Sequence, residues 1–321
     1  MQNSQLKDFI IDINECYKIK NKLKNKLWKE IKQLLKYSLV ILGIIFICFI
    51  IFKIPQIDEN ILNLIAYINI FCIAGIFTLI HFVIRSIQKF NSKLYMQISA
   101  LLLTNIQNLK LETIKNSARN ILSLINATNL KISHNKLYID GAFFNLAYRP
   151  TMRSDCYLNF NYHSKKVQIV NCKITTFLHK IPNILLFKGI IISINKNNLF
   201  NGNVCILQKN TFYFKRKPFA NIPLVNIENP LLKKYNIYSD NHADLNKILE
   251  PNFLNAFLNL KKVFKGSVID FGTNGNEIII MIKTNNMPHK NLNLFTSINF
   301  NKLQEICEQQ NAIINFINIL K

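Results

Sequence analysis

Thiolate sulfur and imidazole nitrogen are the ordinary protein ligands of zinc, and two of each close a tetrahedral shell. The chain carries such a set in Cys156, His163, Cys172 and His179, with intervening runs of six, eight and six residues. Those runs match neither the short Cys–Cys nor the short His–His spacing that lets neighbouring ligands share one ion. On consecutive strands the four converge only if register and facing cooperate, so ordinary sheet residues are the default reading and no metal is assigned. The same residues could supply a Cys–His nucleophile pair, but nothing fixes a third group to orient the base.

Other chemistry finds less support. Only eight glycines occur, and neither GxGxxG nor GxxxxGK[ST] is present to cradle a phosphate. The nucleophile elbow GxSxG is missing too. Asp240 and Asp244 flank His242 at i, i+4, a position that helix N-terminal electrostatics explain without catalysis. Glu305 and Glu308 are expected to face solvent on a closing helix. No catalytic, cofactor-binding or metal residue is assigned, and no cofactor is expected.

The elements that would position these residues begin near Lys136, where the texture turns extended. Tyr157–Tyr162 alternates with period two, and Val167–Val170, Lys173–Phe177 and Ile184–Ile194 follow, the last interrupted at Lys188-Gly189. Asn203–Leu207 and Thr211–Phe214 complete a set of short strands separated by Asn, Gly and Pro, which indicates a largely antiparallel sheet. After a loop from Pro218 to Pro230, Tyr235–Tyr238 is a further strand. Asp240–Leu249, capped by Ser239 or Asp240, and Asn252–Phe264 read as helices broken at Pro251. Ser267–Phe271 and Glu277–Lys283 flank a hairpin turn built on Gly272 and Gly275, and Asn299–Leu320 is the closing helix.

Upstream lies a stretch of another kind. Tyr37–Phe52 is uncharged, and Ile61–Ile84 contains no Asp, Glu, Lys or Arg. A helix of about 20 apolar residues crosses a bilayer core, so both runs read as transmembrane helices, joined by a polar turn at Lys53–Asn60. Lys18, Lys20, Lys22, Lys24, Lys26, Lys29, Lys32 and Lys36 precede the first run, and Arg85, Lys89 and Lys93 follow the second. Basic flanks stay cytoplasmic, which places both chain ends in the cytoplasm of a cell whose inner membrane the hairpin crosses. His81, one turn from the end of the second run, is read as a neutral interfacial residue.

The net charge of +23 divides unevenly. Residues 1–85 hold 11 basic and 6 acidic residues, and the remainder holds 29 and 11, leaving +5 and +18. Anionic lipid headgroups suit such a charge, at about 1 kcal/mol per basic residue near the surface. Nucleic acid is not expected, because Lys, Asn and Ile are over-used throughout and no nucleic-acid-binding motif accompanies the charge. Seven cysteines, an odd number with no CxxC pair, fit reduced thiols.

The resulting division is a basic N-terminal helix at 1–36, a transmembrane hairpin at 37–84 (spans 37–54 and 61–84), a helical stalk at 85–130 and an α+β domain at 131–321. The fold class is α+β: a two-helix transmembrane hairpin with helical extensions, then a mainly antiparallel-sheet domain with flanking helices.

Three stretches carry a family resemblance. The first is Phe187-Lys-Gly189 with the apolar run to Ile194, then Asn198–Gly202. The second is Glu228-Asn-Pro230 with Lys234–Tyr238, Ala243 and Ile248–Pro251. The third joins Leu258 and Leu260, the Gly272 hairpin, Leu294-Phe295 and the helix Leu303–Leu320. In this order they are similar to a bacterial membrane family known as domain of unknown function 3137, whose part before Leu185 is matched in outline. The resemblance implies two closely spaced spans and a cytoplasmic α+β domain; it implies no activity, cofactor or catalytic residue. Acidic positions associated with the strand near Arg149–Leu158 are sparse here, so an acid-dependent function does not carry over.

The function expected is therefore a membrane-anchored, non-enzymatic scaffold or protein-interaction domain, touching the bilayer and pairing with a partner protein or with itself. A membrane-bound enzyme with its site on the Cys/His strands, and a small oligomeric transporter or channel subunit, are the alternatives.

Overall fold

The computed structural model describes residues 2–53, 58–107, 131–133, 136–139, 142–146, 150–178, 181–195, 200–209, 214–218, 222–274, 277–286, 292–298 and 300–320. Two compact units are present: Met1–Leu94 with Asn293–Ser297, and Tyr95–Leu292 with Ile298–Lys321.

The first unit is built on two long helices, α1 (Gln2–Phe52) and the part of α2 (Glu59–Gln107) up to Leu94. Neither α1 nor α2 contains an internal proline, so each basic flank continues the apolar run it adjoins without a break. Cys16, Leu23, Leu27 and Ile31 recur at helical spacing and are buried, as are Phe90 and Leu94. Above them the pattern inverts. Large apolar side chains such as Phe46, Phe71 and Phe77 are more than half exposed, and only 6 % of the most apolar window of each helix is buried. Gly75 meets the side chain of Ile41, a close approach that a larger residue would crowd. The strap Asn293–Ser297 docks onto this unit: the Asn91 side chain accepts from the Leu294 N–H at 3.0 Å, and Lys20 donates to the Thr296 carbonyl.

The second unit holds two antiparallel sheets. The smaller pairs β1 (Lys131–Ser133), β2 (Lys136–Ile139) and β3 (Ala142–Leu146) with β8 (Phe214–Pro218). The larger contains β4 (Pro150–Tyr162), β5 (Lys165–Leu178), β6 (Ile181–Asn195), β7 (Asn203–Gln208), β9 (Leu224–Val225), β10 (Tyr235–Ser239), β11 (Val268–Asn274) and β12 (Glu277–Lys283). Their spatial order is β4-β5-β6-β12-β11-β7-β10-β9. Three helices complete the unit: α3 (His242–Leu249), α4 (Pro251–Val263) and α5 (Phe300–Ile319).

Alternation sorts the strands into faces. Leu158, Ile169, Ile192, Ile280, Phe271 and Ile206 occupy one row across six strands, and every one is buried. Phe271 meets Phe253 of α4 edge-on at 5.4 Å between centroids, and Phe253 meets Phe316 of α5 at 5.3 Å. Such pairs contribute about 1 kcal/mol beyond area burial. Lys165 is buried at the start of β5, where its ammonium donates to the Ile317 carbonyl at 2.8 Å, a cation serving the C-terminal end of α5.

Several observed elements differ from the expected ones; of the expected strand Thr211–Phe214, residues 211–213 lie outside the described residues and β8 runs from Phe214 to Pro218. Val167–Val170 and Lys173–Phe177 are one strand, β5, and β6 runs unbroken through Lys188-Gly189. Gly189 is not a break; a Cβ there would strike the Ile282 carbonyl oxygen, so glycine lets β6 and β12 approach. Gly272 is likewise a strand residue, paired with Ile279 and Cys205, because the ladder to β7 extends β11 through Asn274. The expected stalk at 85–130 begins as the continuation of α2 to Gln107; residues 108–130 lie outside the described residues.

Candidate functional site

The four residues that could have held zinc do not assemble. His163 sits with Ser164 in the tight turn between β4 and β5, exposed and at positive φ (46° and 62°). Cys172 is fully buried and lies seven residues along β5 from Lys165, about 23 Å from the turn at strand rise. Cys156 stands opposite Asn171 in the register, next to Cys172, whereas His179 falls outside the described residues. His163 therefore cannot share an ion with Cys172. Among the described residues, no three His, Cys, Asp or Glu side chains gather as metal ligands would.

The acidic pair has a structural task. Asp244 is fully buried in α3, and its Oδ2 accepts from the backbone N–H of Asn201 at 2.6 Å and of Gly202 at 2.7 Å. Asp240 precedes the helix and accepts from the Asn203 N–H and side-chain amide, both at 2.7 Å. The helix cap is Asn241, not Ser239 or Asp240: its Oδ1 accepts from Ala243 and Asp244 N–H groups, while the Ser239 hydroxyl bonds the Asn241 backbone. Both carboxylates thus tie down the loop entering β7. Glu305 does not simply face solvent either, since its Oε1 accepts from Lys265 at 2.8 Å and from the Asn286 side chain at 3.1 Å.

A concave site lies elsewhere, at the β9–β10 edge, where a cleft of about 400 Å³ opens. β9 pairs with β10 at Ile237↔Val225 and Tyr238↔Leu224, and the Ser239 N–H donates to the Pro223 carbonyl at 3.1 Å. The chain then leaves the ladder: Asn226–Asn229 have no strand pairing. The Asn229 side chain accepts from the Leu231 N–H at 2.9 Å and, with Pro230, starts a 3-10 turn (Pro230–Leu232) that plants the buried Leu232 beneath the cleft.

Backbone parity shows what this leaves exposed. The Lys209 N–H donates to the Lys234 carbonyl, and the Asp240 N–H donates to the Asn203 carbonyl, so even-numbered residues of β10 bond toward β7. Odd-numbered residues bond toward β9, as Ser239 does. Tyr235 is the next odd residue, beyond the point where the ladder stops, and it lines the cleft. Among the described residues its N–H and C=O have no ladder partner on this side. Its ring packs inward against Phe257 at 6.2 Å, and burial, then the Asp270 charge, push the phenol up to about 12.

Positive charge gathers at the same corner. Lys209 reaches the Lys233 carbonyl at 3.1 Å, and both lysines line the cleft. Lys261 bonds the Gln208 side chain at 3.0 Å; burial lowers its pKa first and the neighbouring Lys234 charge lowers it further. Glu228 is the acid in the cleft wall. The sequence pattern locates the strand Tyr235–Tyr238 and the Glu228-Asn-Pro230 segment, but β9 is two residues long and sits inside what reads as a loop. Pro223 and Pro230, which bracket the departing segment, were the available signal.

The fold and site define a chain with two helices long and apolar enough to cross a membrane, followed by an antiparallel α+β domain. Residues 185–321 match the family described as protein of unknown function (DUF3137), the family to which the three stretches from Leu185 onward point. The crystal structure of mycobacterial trehalose monomycolate transport factor A is similar at a TM-score of 0.31 and 10 % identity, over 56 % of this chain and 87 % of that one. No curated protein matches.

Proposed function

We propose that this chain is a non-catalytic protein of the inner membrane, crossing it twice with both ends in the cytoplasm, whose sheet domain holds a partner protein at the membrane surface. The observation that carries the reading is the exposure of most large apolar side chains along Tyr37–Phe52 and Ile61–Ile84, which water does not tolerate on this scale. Lysines on exposed positions of α1 below Tyr37, with Arg85 and Lys89 beyond the second run, support this orientation. Asp240, Asp244 and Glu305 are occupied by structural hydrogen bonds and His163 sits in an exposed turn, which supports binding over catalysis.

Single cysteines placed at Glu59 and at Lys22, each in a background with the native cysteines replaced, test the topology. An impermeant maleimide should label the first in intact cells and the second only after lysis. Labelling of both in intact cells, or release of the chain by alkaline carbonate, would refute it. Cross-linking in intact membranes tests the partner role; a chain that cross-links to no protein through residues 185–321 would end it.

A further inference from the structure

We propose that the β9–β10 cleft receives an extended, acidic segment of the partner protein, which adds to the sheet as a short strand against Tyr235. The proposal rests on the partner-binding reading above and names where and how the partner is recognised. A cleft of about 400 Å³ admits a short extended segment alongside Asn226–Asn229, the four residues over which the chain has left the ladder. The N–H and C=O of Tyr235, without a ladder partner on this side among the described residues, offer a donor and an acceptor in the spacing that an incoming strand requires. Leu224, Ile227 and Leu232 supply apolar wall and floor for alternate side chains of that strand.

Charge selects the sequence of the occupant. Lys209 and Lys233 line the cleft and Lys234 adjoins it, against Glu228 alone. An acidic residue at the end of the segment beside Lys209 and Lys233 meets an ammonium, whereas a basic one adds to existing repulsion. The departure of Asn226–Asn229 is itself held in place, by the Asn229 cap and by Pro230, so the gap is built into the fold and not left by a short strand.

The test uses the full chain in phosphatidylcholine nanodiscs and three fluorescein-labelled peptides: Asp-Val-Ser-Val-Ser-Asp, its counterpart with Lys at both ends, and the acidic peptide N-methylated at both valines. Fluorescence polarisation should show the acidic peptide binding at least fivefold more tightly than the basic one. N-methylation should cost a further tenfold or so, as the loss of one or two backbone hydrogen bonds requires. Lys209→Glu with Lys233→Glu should abolish the charge preference while leaving the melting temperature unchanged, because both side chains are exposed. Hydrogen exchange at Tyr235 should slow when the acidic peptide is present.

Equal binding of the parent and N-methylated peptides would overturn strand addition. No binding, or unchanged exchange at Tyr235, would overturn the site. Cross-linking of a partner through another part of residues 185–321 would then leave the partner-binding reading standing without this cleft.

Discussion

Replacing Asp244 with Ala should loosen the loop that enters β7 and lower the stability of the sheet unit by about 3 kcal/mol. One fully buried carboxylate oxygen accepts two backbone N–H bonds, at 2.6 and 2.7 Å. Charge-assisted bonds of this kind contribute about 1.5–3 kcal/mol each, and the low end applies because Asn201 is exposed and its freed N–H regains water. The ion pair with Lys247, 3.4 Å away on an exposed side chain, adds little. Asp244→Asn keeps an acceptor oxygen but loses the charge, so about half the effect is expected. Thermal unfolding of the full chain in detergent should show a drop in Tm on the order of 10 °C for Ala. Hydrogen exchange should accelerate at Asn201 and Gly202 in both variants. A Tm within a degree of the parent, with unchanged exchange at those two amides, would refute the assignment of Asp244 as the clamp.

Other consequences are as direct. His163 and Ser164 both hold positive φ without being glycine, so His163→Asn with Ser164→Gly should raise stability by about 1 kcal/mol, read as a higher Tm. Gly189→Ala should destabilise by several kcal/mol, or prevent folding, because its Cβ would meet the Ile282 carbonyl and separate β6 from β12; a variant of parental Tm would contradict that contact. Burial, with smaller contributions from Asp240 and Asp270, holds the Cys205 thiol up at about 12 against an ordinary 9.0. The folded state therefore keeps a proton that the unfolded chain releases: stability is full below pH 9 and falls between pH 9 and 12 by about 1.4 kcal/mol per unit. Cys205→Ala should be shallower over that window, measured as Tm against pH, and an identical slope would show that the thiol does not titrate there.

Periodicity carried the long elements and failed on the short ones. The apolar runs of α1 and α2, the alternation of Tyr157–Tyr162 and the closing helix were legible because each spans several turns or pleats of one pattern. The α+β layout followed from them. Gly189 and Gly272 misled in the same way: a glycine that signals a turn locally is also the residue that lets two strands approach, and only tertiary neighbours distinguish the two. The Cys/His set looked plausible because spacing along a chain says nothing about register, and the register puts His163 at a turn and Cys172 in the core. The cleft was illegible for a different reason, since it is defined by hydrogen bonds that stop being made after Val225.

The strand order has a consequence for how the protein is made. β12, at residues 277–283, lies between β6 and β11, although β4, β5 and β6 are synthesised together some eighty residues earlier. Until the ribosome has released β12, the β4–β6 meander presents an unpaired, isoleucine-rich edge from Ile190 to Ile194. Such an edge is a template for pairing with another chain. Nascent chains that stall before Glu277 should therefore be the aggregation-prone species, and that hazard arises after both long apolar helices have emerged and before the sheet can close.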